Sequence, residues 1–203
     1  MIFEHLGEFD LEEIRKLISI KNFRILDFGC GTGIWSKKDI KKKFVKKIIL
    51  YDKNKRLLKI LNDKYTEKKI TVNFDLNKIL KKNSYNLVIM SSVIQYVNLN
   101  KLKKIINDFY DNFHDRKNSH YIIITDIPKF PRLIEFLLLP LFNIQRFFFV
   151  IEYLMNKEYH KIKYYYHKDD DFTFLKKNFI ITKFRNLNNL KFLRYTLILK
   201  LKK

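Results

Sequence analysis

The run Phe23-Arg24-Ile25-Leu26-Asp27-Phe28 passes directly into glycines at positions 29, 31 and 33, and three of the four glycines in the chain fall in this one turn. A short apolar run that stops at a glycine is the signature of a buried strand ending in a tight turn. Glycine tolerates positive φ, and its missing side chain lets a ligand approach the backbone. The helix expected after the turn would add free N–H groups for a polar ligand. Taken alone, the same turn is also compatible with a plain strand-to-helix connection.

The chain downstream repeats the pattern. Lys47–Tyr51, Ile70–Phe74, Tyr85–Met90 and Tyr121–Thr125 are strand-like, and the segments 34–44, 53–64 and 99–113 between them suit helices, with a further helix expected at Glu8–Ile20. Strands alternating with helices imply a parallel sheet covered on both faces. Asn178–Arg185 and Phe192–Leu201 then follow with only Asn186 to Leu190 and Lys191 between them, which reads as an antiparallel pair. Residues 129–170, rich in Phe, Leu and Tyr, are too long and apolar for an ordinary connection and read as a helical, lid-like insertion. A chain of 203 residues suits a single domain carrying that insertion.

The formal charge is +21, and it is uneven: residues 1–36 hold four basic and six acidic side chains, residues 37–69 fourteen and four. Clustered Lys and Arg can neutralise phosphates. Here the absence of alanine, with abundant Lys, Asn, Ile, Phe and Tyr, fits an AT-rich coding sequence, and Lys37, Lys38, Lys41, Lys42, Lys43, Lys46 and Lys47 should lie away from the carboxyl ends of the strands. That location favours a solvated face over a substrate site. The lone Cys30 excludes an intrachain disulfide and a cysteine-rich zinc site, and the first residues lack the form of a signal peptide, so a cytoplasmic protein is expected. Leu133–Met155 is interrupted by Glu135, Pro140, Arg146 and Glu152, so no transmembrane segment is expected.

The glycine spacing departs from the dinucleotide pattern G-x-G-x-x-G, because the third glycine follows after one residue. Asp27-Phe28-Gly29-Cys30-Gly31-Thr32-Gly33 resembles motif I of the class I S-adenosylmethionine-dependent methyltransferases, of the form Asp/Glu-x-Gly-x-Gly-x-Gly. The resemblance covers residues 20–127 and the final strand pair in outline. It implies a Rossmann-like α/β fold with a seven-stranded, mostly parallel sheet and an antiparallel last strand. It implies S-adenosyl-L-methionine as cofactor, with Asp27 organising the loop and Gly29, Cys30, Gly31 and Gly33 around the methionine end. Asp52, with neighbouring Lys53, would meet the ribose hydroxyls, Asp75 and Leu76 the adenine, and Ser91 would face the cofactor after the fourth strand. Asp52 could instead cap the helix at 53–64, and Asp75 could cap one beginning at Leu76.

Gln95 and Tyr96, in Ser91-Ser92-Val93-Ile94-Gln95-Tyr96-Val97, resemble the His or Gln before an aromatic residue that follows the fourth strand in the family, and are catalytic candidates. His167, beside Tyr164, Tyr165 and Tyr166 at the end of the insertion, is the first candidate for a base, and His5 the second. Asp169, Asp170 and Asp171 suit a helix start better than a metal site. The segment Ser91–Ile94 lacks the Asn/Asp-Pro-Pro-Tyr/Phe pattern of enzymes that methylate base or glutamine amino groups, and no second cysteine exists for a cytosine-C5 mechanism. A small-molecule acceptor methylated on oxygen or nitrogen is the leading expectation. RNA methylation, an inactive methyltransferase-like binding domain and a nicotinamide-dependent oxidoreductase are the alternatives. Peripheral membrane contact or a homodimer through 129–170 is open.

Overall fold

The computed structural model describes residues 11–82, 85–113, 119–129, 164–185 and 194–202. Most of the expected insertion, together with His5, His114 and His160, lies outside these residues. The elements run α1 (Leu11–Leu17), β1 (Phe23–Phe28), α2 (Ile34–Asp39), β2 (Val45–Tyr51), α3 (Lys55–Lys64), β3 (Ile70–Val72), α4 (Leu76–Lys82), β4 (Leu87–Ser91), α5 (Leu99–Asn112), β5 (Tyr121–Pro128), β6 (Phe179–Arg185) and β7 (Arg194–Leu201). Short 3₁₀ segments occupy Ile94–Tyr96 and Asp169–Lys177.

The seven strands form one sheet in the order β3-β2-β1-β4-β5-β7-β6. Neighbours from β3 to β5 pair in parallel, whereas β7 is antiparallel to both β5 and β6. The expected antiparallel last strand is therefore present, inserted between its two predecessors. The chain builds outward from β1 to β3 and then returns to start β4 on the other side of β1. That reversal opens a crevice beyond the carboxyl ends of β1 and β4, where open α/β sheets bind ligands.

Period-two alternation divides each central strand between two cores. Leu26 and Phe28 of β1 join Val88, Met90, Ile122 and Ile124 on one face, and Phe23 and Ile25 join Ile48, Leu50, Leu87 and Ile89 on the other. The first core is covered by α5, whose Leu102, Ile105, Ile106 and Phe109 recur at helical spacing. The second is covered by Leu11 and Ile14 of α1 and by Leu58 and Leu61 of α3. Burying each such side chain contributes about 1.5–3 kcal/mol.

Two departures from the sequence expectation have clear causes. Helix α2 stops at Asp39 rather than 44, because Phe44 must meet Phe23 edge-on, with ring centroids 5.1 Å apart, while its carbonyl accepts from the Phe23 N–H. Strand β5 continues past Thr125 to Pro128 through a bulge: Ile124 faces Leu197 and Ile127 faces Tyr195, so β5 carries one extra residue. Asp126 sits in that bulge with φ of 63°.

Candidate donor and acceptor site

The glycine turn adopts the conformation its composition allows, with φ of 77°, 54° and 68° at Gly29, Gly31 and Gly33. The backbone N–H groups of Gly29 and Cys30 both donate to the Tyr51 carbonyl, which ties the turn to the end of β2. A side chain at Gly29 would collide with Val93, since its Cβ would lie 2.6 Å from Val93 Cγ2. At Gly33 a Cβ would press on the Tyr65 ring, whose hydroxyl donates to the Gly33 carbonyl at 2.6 Å. Among the described residues nothing lies within 4 Å of where a Cβ of Gly31 would be. The turn is thus packed on both flanks and open in the middle.

Two carboxylates organise it. Asp27 is buried on β1 and accepts from the Ser36 hydroxyl of α2 at 2.8 Å, joining strand to helix beneath the turn. Asp52, just beyond β2, accepts from the Gly31 N–H through Oδ2 at 3.1 Å and from the Asn54 N–H through Oδ1 at 2.8 Å. The helix cap considered for Asp52 belongs instead to Asn54, whose Oδ1 accepts from the N–H groups of Arg56 and Leu57. Asp52 remains partly open to solvent, and Lys53 is exposed. Cys30 is buried, and desolvation, with the Asp27 and Asp52 carboxylates adding to it, pushes its thiol well above the usual range, so it stays neutral.

Asp75 is exposed and caps α4, accepting from the N–H groups of Asn77 and Lys78. Leu76 is partly buried against the core that includes Phe28 and Met90. Ser91 closes β4 and accepts a hydrogen bond from the Thr125 hydroxyl at 3.1 Å.

The segment after β4 forms the other wall. Gln95 is buried and its Oε1 has no hydrogen-bond partner among the described residues, while Tyr96 is 43% exposed and meets the Tyr164 ring edge-on at 6.2 Å. The Gln95 carbonyl accepts from the Tyr165 N–H at 2.7 Å. His167 is buried, with Nε2 3.0 Å from the Ile94 carbonyl and 2.9 Å from that of Val97. Carbonyl oxygens only accept, so Nε2 carries a hydrogen and donates. This nitrogen ties His167 to the Ile94–Tyr96 turn and to Val97. His120 is also buried, its ring tilted against that of Phe113 with centroids 4.6 Å apart.

One cluster was not anticipated. Ser92 and Asp126, at the carboxyl ends of neighbouring strands, both have positive φ, 54° and 63°. Non-glycine residues held there cost on the order of 1–3 kcal/mol each and concentrate at functional sites. The Ser92 hydroxyl donates to Asp126 Oδ2, and Arg194 of β7 donates to the same oxygen at 3.0 Å and to the Asp126 carbonyl at 3.2 Å. The sequence held one signal for it: Asp126, like Asp52 and Asp75, is an acidic residue closing an apolar strand run.

Among the described residues no group of His, Cys, Asp and Glu could hold a metal ion, and no helix is long and apolar enough to cross a membrane. The acidic run Asp169–Asp171 starts a 3₁₀ segment, as expected, with Asp171 accepting from the Lys168 N–H. A polar cleft of about 460 Å³ lined by Lys21, Arg24, Lys46 and Asn86 lies at the amino ends of the strands, opposite the glycine turn. It is remote from the carboxyl-end crevice.

A strand–glycine turn–helix unit closed by a carboxylate after β2, in a sheet of this order, defines a Rossmann-like methyltransferase fold. Residues 25–114 match the family model described as a methyltransferase domain. The match spans under half of the chain, and that segment is similar to a methyltransferase domain. Solved structures agree in fold. A putative type 11 methyltransferase from Sulfolobus solfataricus is 19% identical, with 95% of this chain and 90% of that one covered and a TM-score of 0.59. The methyltransferase domain of bacterial CtHen1 is 14% identical, with 95% and 97% covered and a TM-score of 0.61. Magnesium protoporphyrin IX methyltransferase from Synechocystis, solved with S-adenosylhomocysteine bound, is 18% identical, with 90% and 74% covered and a TM-score of 0.55. A comparison with curated protein sequences gives no match.

Proposed function

We propose that this protein transfers a methyl group from S-adenosylmethionine to an oxygen or nitrogen of a small-molecule acceptor. The observation that carries the donor half is the open left-handed Gly31, whose N–H is held by Asp52. The empty space over Gly31 accommodates the methionine end of the donor, and the solvent-facing part of Asp52 accepts the ribose hydroxyls. Asp27 holds the loop from below, Gly29, Cys30 and Gly33 frame it, and Ser91 lines its far side. Asp75 and Leu76, with exposed Lys53 nearby, border the adenine end.

The donor brings its own leaving group, a thioether released from a sulfonium, so the protein's part is to align acceptor and donor. The wall after β4 does this. Tyr96 offers an exposed ring to the acceptor, and buried Gln95 holds the turn through its backbone bond to Tyr165. His167 keeps that turn fixed while Tyr164 packs on Tyr96. A small acceptor is supported by the sequence Ser91–Ile94, which lacks the motif for base amino groups. Further support for a small acceptor comes from a fold neighbour named as a magnesium protoporphyrin IX methyltransferase, and for nitrogen as the acceptor atom from one named as the N-methyltransferase NodS.

The test is transfer of labelled methyl from S-adenosylmethionine into fractionated cell extract. Label in low-molecular-weight material is the expected result, and label in nuclease-sensitive material would replace the small acceptor with RNA. No transfer at all by protein that binds the donor would favour an inactive binding domain.

A further inference from the structure

The left-handed Ser92 turns the chain out of β4 so that Val93 lies directly over Gly29, at the spot where even a methyl group would not fit. The glycine turn and the wall after β4 are therefore in contact, and the position of Val93 depends on the backbone of Ser92. A serine has no intrinsic preference for φ of 54°, whereas glycine reaches it freely. What holds Ser92 there is visible: its hydroxyl is bound by Asp126, itself held in the bulge of β5 by Arg194 from the antiparallel strand. The Ser92 N–H also extends the β4–β5 ladder to the Thr125 carbonyl at 3.3 Å. The pair is well shielded, the Asp126 and Arg194 side chains being only 5% and 14% exposed.

We propose that Asp126 is a positioning residue for the donor site: with Arg194 it locks Ser92 in the left-handed conformation that seats Val93 against Gly29. Affinity for the adenosyl ligand then depends on a carboxylate that acts through a neighbour's backbone. The inference rests on the reading that the glycine turn holds the donor.

S-adenosylhomocysteine binding measured by calorimetry tests it, with thermal melts run on each variant. Asp126→Ala and Ser92→Ala each weaken binding about tenfold, the range expected for a residue acting at a distance. The double variant Ser92→Gly with Asp126→Ala recovers most of that loss, because glycine holds the turn without the clamp. A merely destabilising loss of the ion pair would not be repaired by glycine at 92. Unchanged affinity in folded Ser92→Ala, or no recovery in the double variant, overturns the proposal. Should Asp126→Ala not fold, Ser92→Ala still carries the expectation of weakened binding and Ser92→Gly that of near-wild-type binding. If the wild-type protein binds no S-adenosylhomocysteine, the donor-site reading itself fails; if it binds and the variants match it, only this inference does.

Discussion

The backbone N–H of Gly31 donates to Asp52 Oδ2 at 3.1 Å, so the middle of the glycine turn is held by the carboxylate that follows β2. Two loops at the carboxyl ends of adjacent strands thereby become one surface. The flanking glycines serve that surface differently. Gly29→Ala drives a methyl into Val93 and should cost folding stability, seen as a lowered melting temperature. Gly31→Ala meets no neighbour among the described residues and pays the strain of its positive φ, about 1 kcal/mol, and on the proposed reading it loses S-adenosylhomocysteine affinity at least tenfold as the methyl enters the space assigned to the donor. Equal effects of the two on melting would contradict this division.

Beneath the turn, the Ser36 hydroxyl donates to buried Asp27. Ser36→Ala removes a donor from a buried carboxylate and should destabilise the fold by about 1–3 kcal/mol, measured by urea unfolding. Asp27→Asn, which lowers the need for donors, should soften the effect of Ser36→Ala in the double variant. Strict additivity would show that the two side chains are not coupled.

On the far edge, Lys183 donates to Asp169 at 2.6 Å and holds that carboxyl below its ordinary range. A carboxylate depressed in the folded state adds stability above its unfolded value, about pH 3.9, and the gain disappears as the pH falls through its folded value. Both side chains are well exposed, so the contribution is at most several tenths of a kcal/mol. Lys183→Met should flatten the loss of stability below about pH 4, and 1 M salt should mimic the substitution. A steeper acid loss in the variant would contradict the assignment.

The sheet was legible because strands buried on both faces read as unbroken apolar runs, and all seven runs appear as strands. Asp27 and Asp52 were legible because their position relative to the glycines is local. The limits of local reading show at Asn54, which takes the α3 cap that Asp52 also suits by composition. They show again at β5, where Thr125-Asp126 reads as a strand end but is a bulge that continues to Pro128. The Asp126–Arg194 pair spans 68 residues, and its existence depends on β7 inserting beside β5, an order no short pattern encodes. His167 reads as a free histidine in sequence, and only the fold brings it under two carbonyls some 70 residues away.

The central claim is that the glycine turn and Asp52 form an adenosyl-donor site. Calorimetric titration of S-adenosylhomocysteine into the wild type and Asp52→Ala, with NADH as control, tests it most directly. Saturable binding by the wild type, weakened at least tenfold in Asp52→Ala and absent with NADH, is the expected result, since the variant loses the anchor of Gly31 and, on the proposed reading, the acceptor for the ribose. Folded wild-type protein that takes up NADH but not S-adenosylhomocysteine would contradict the account.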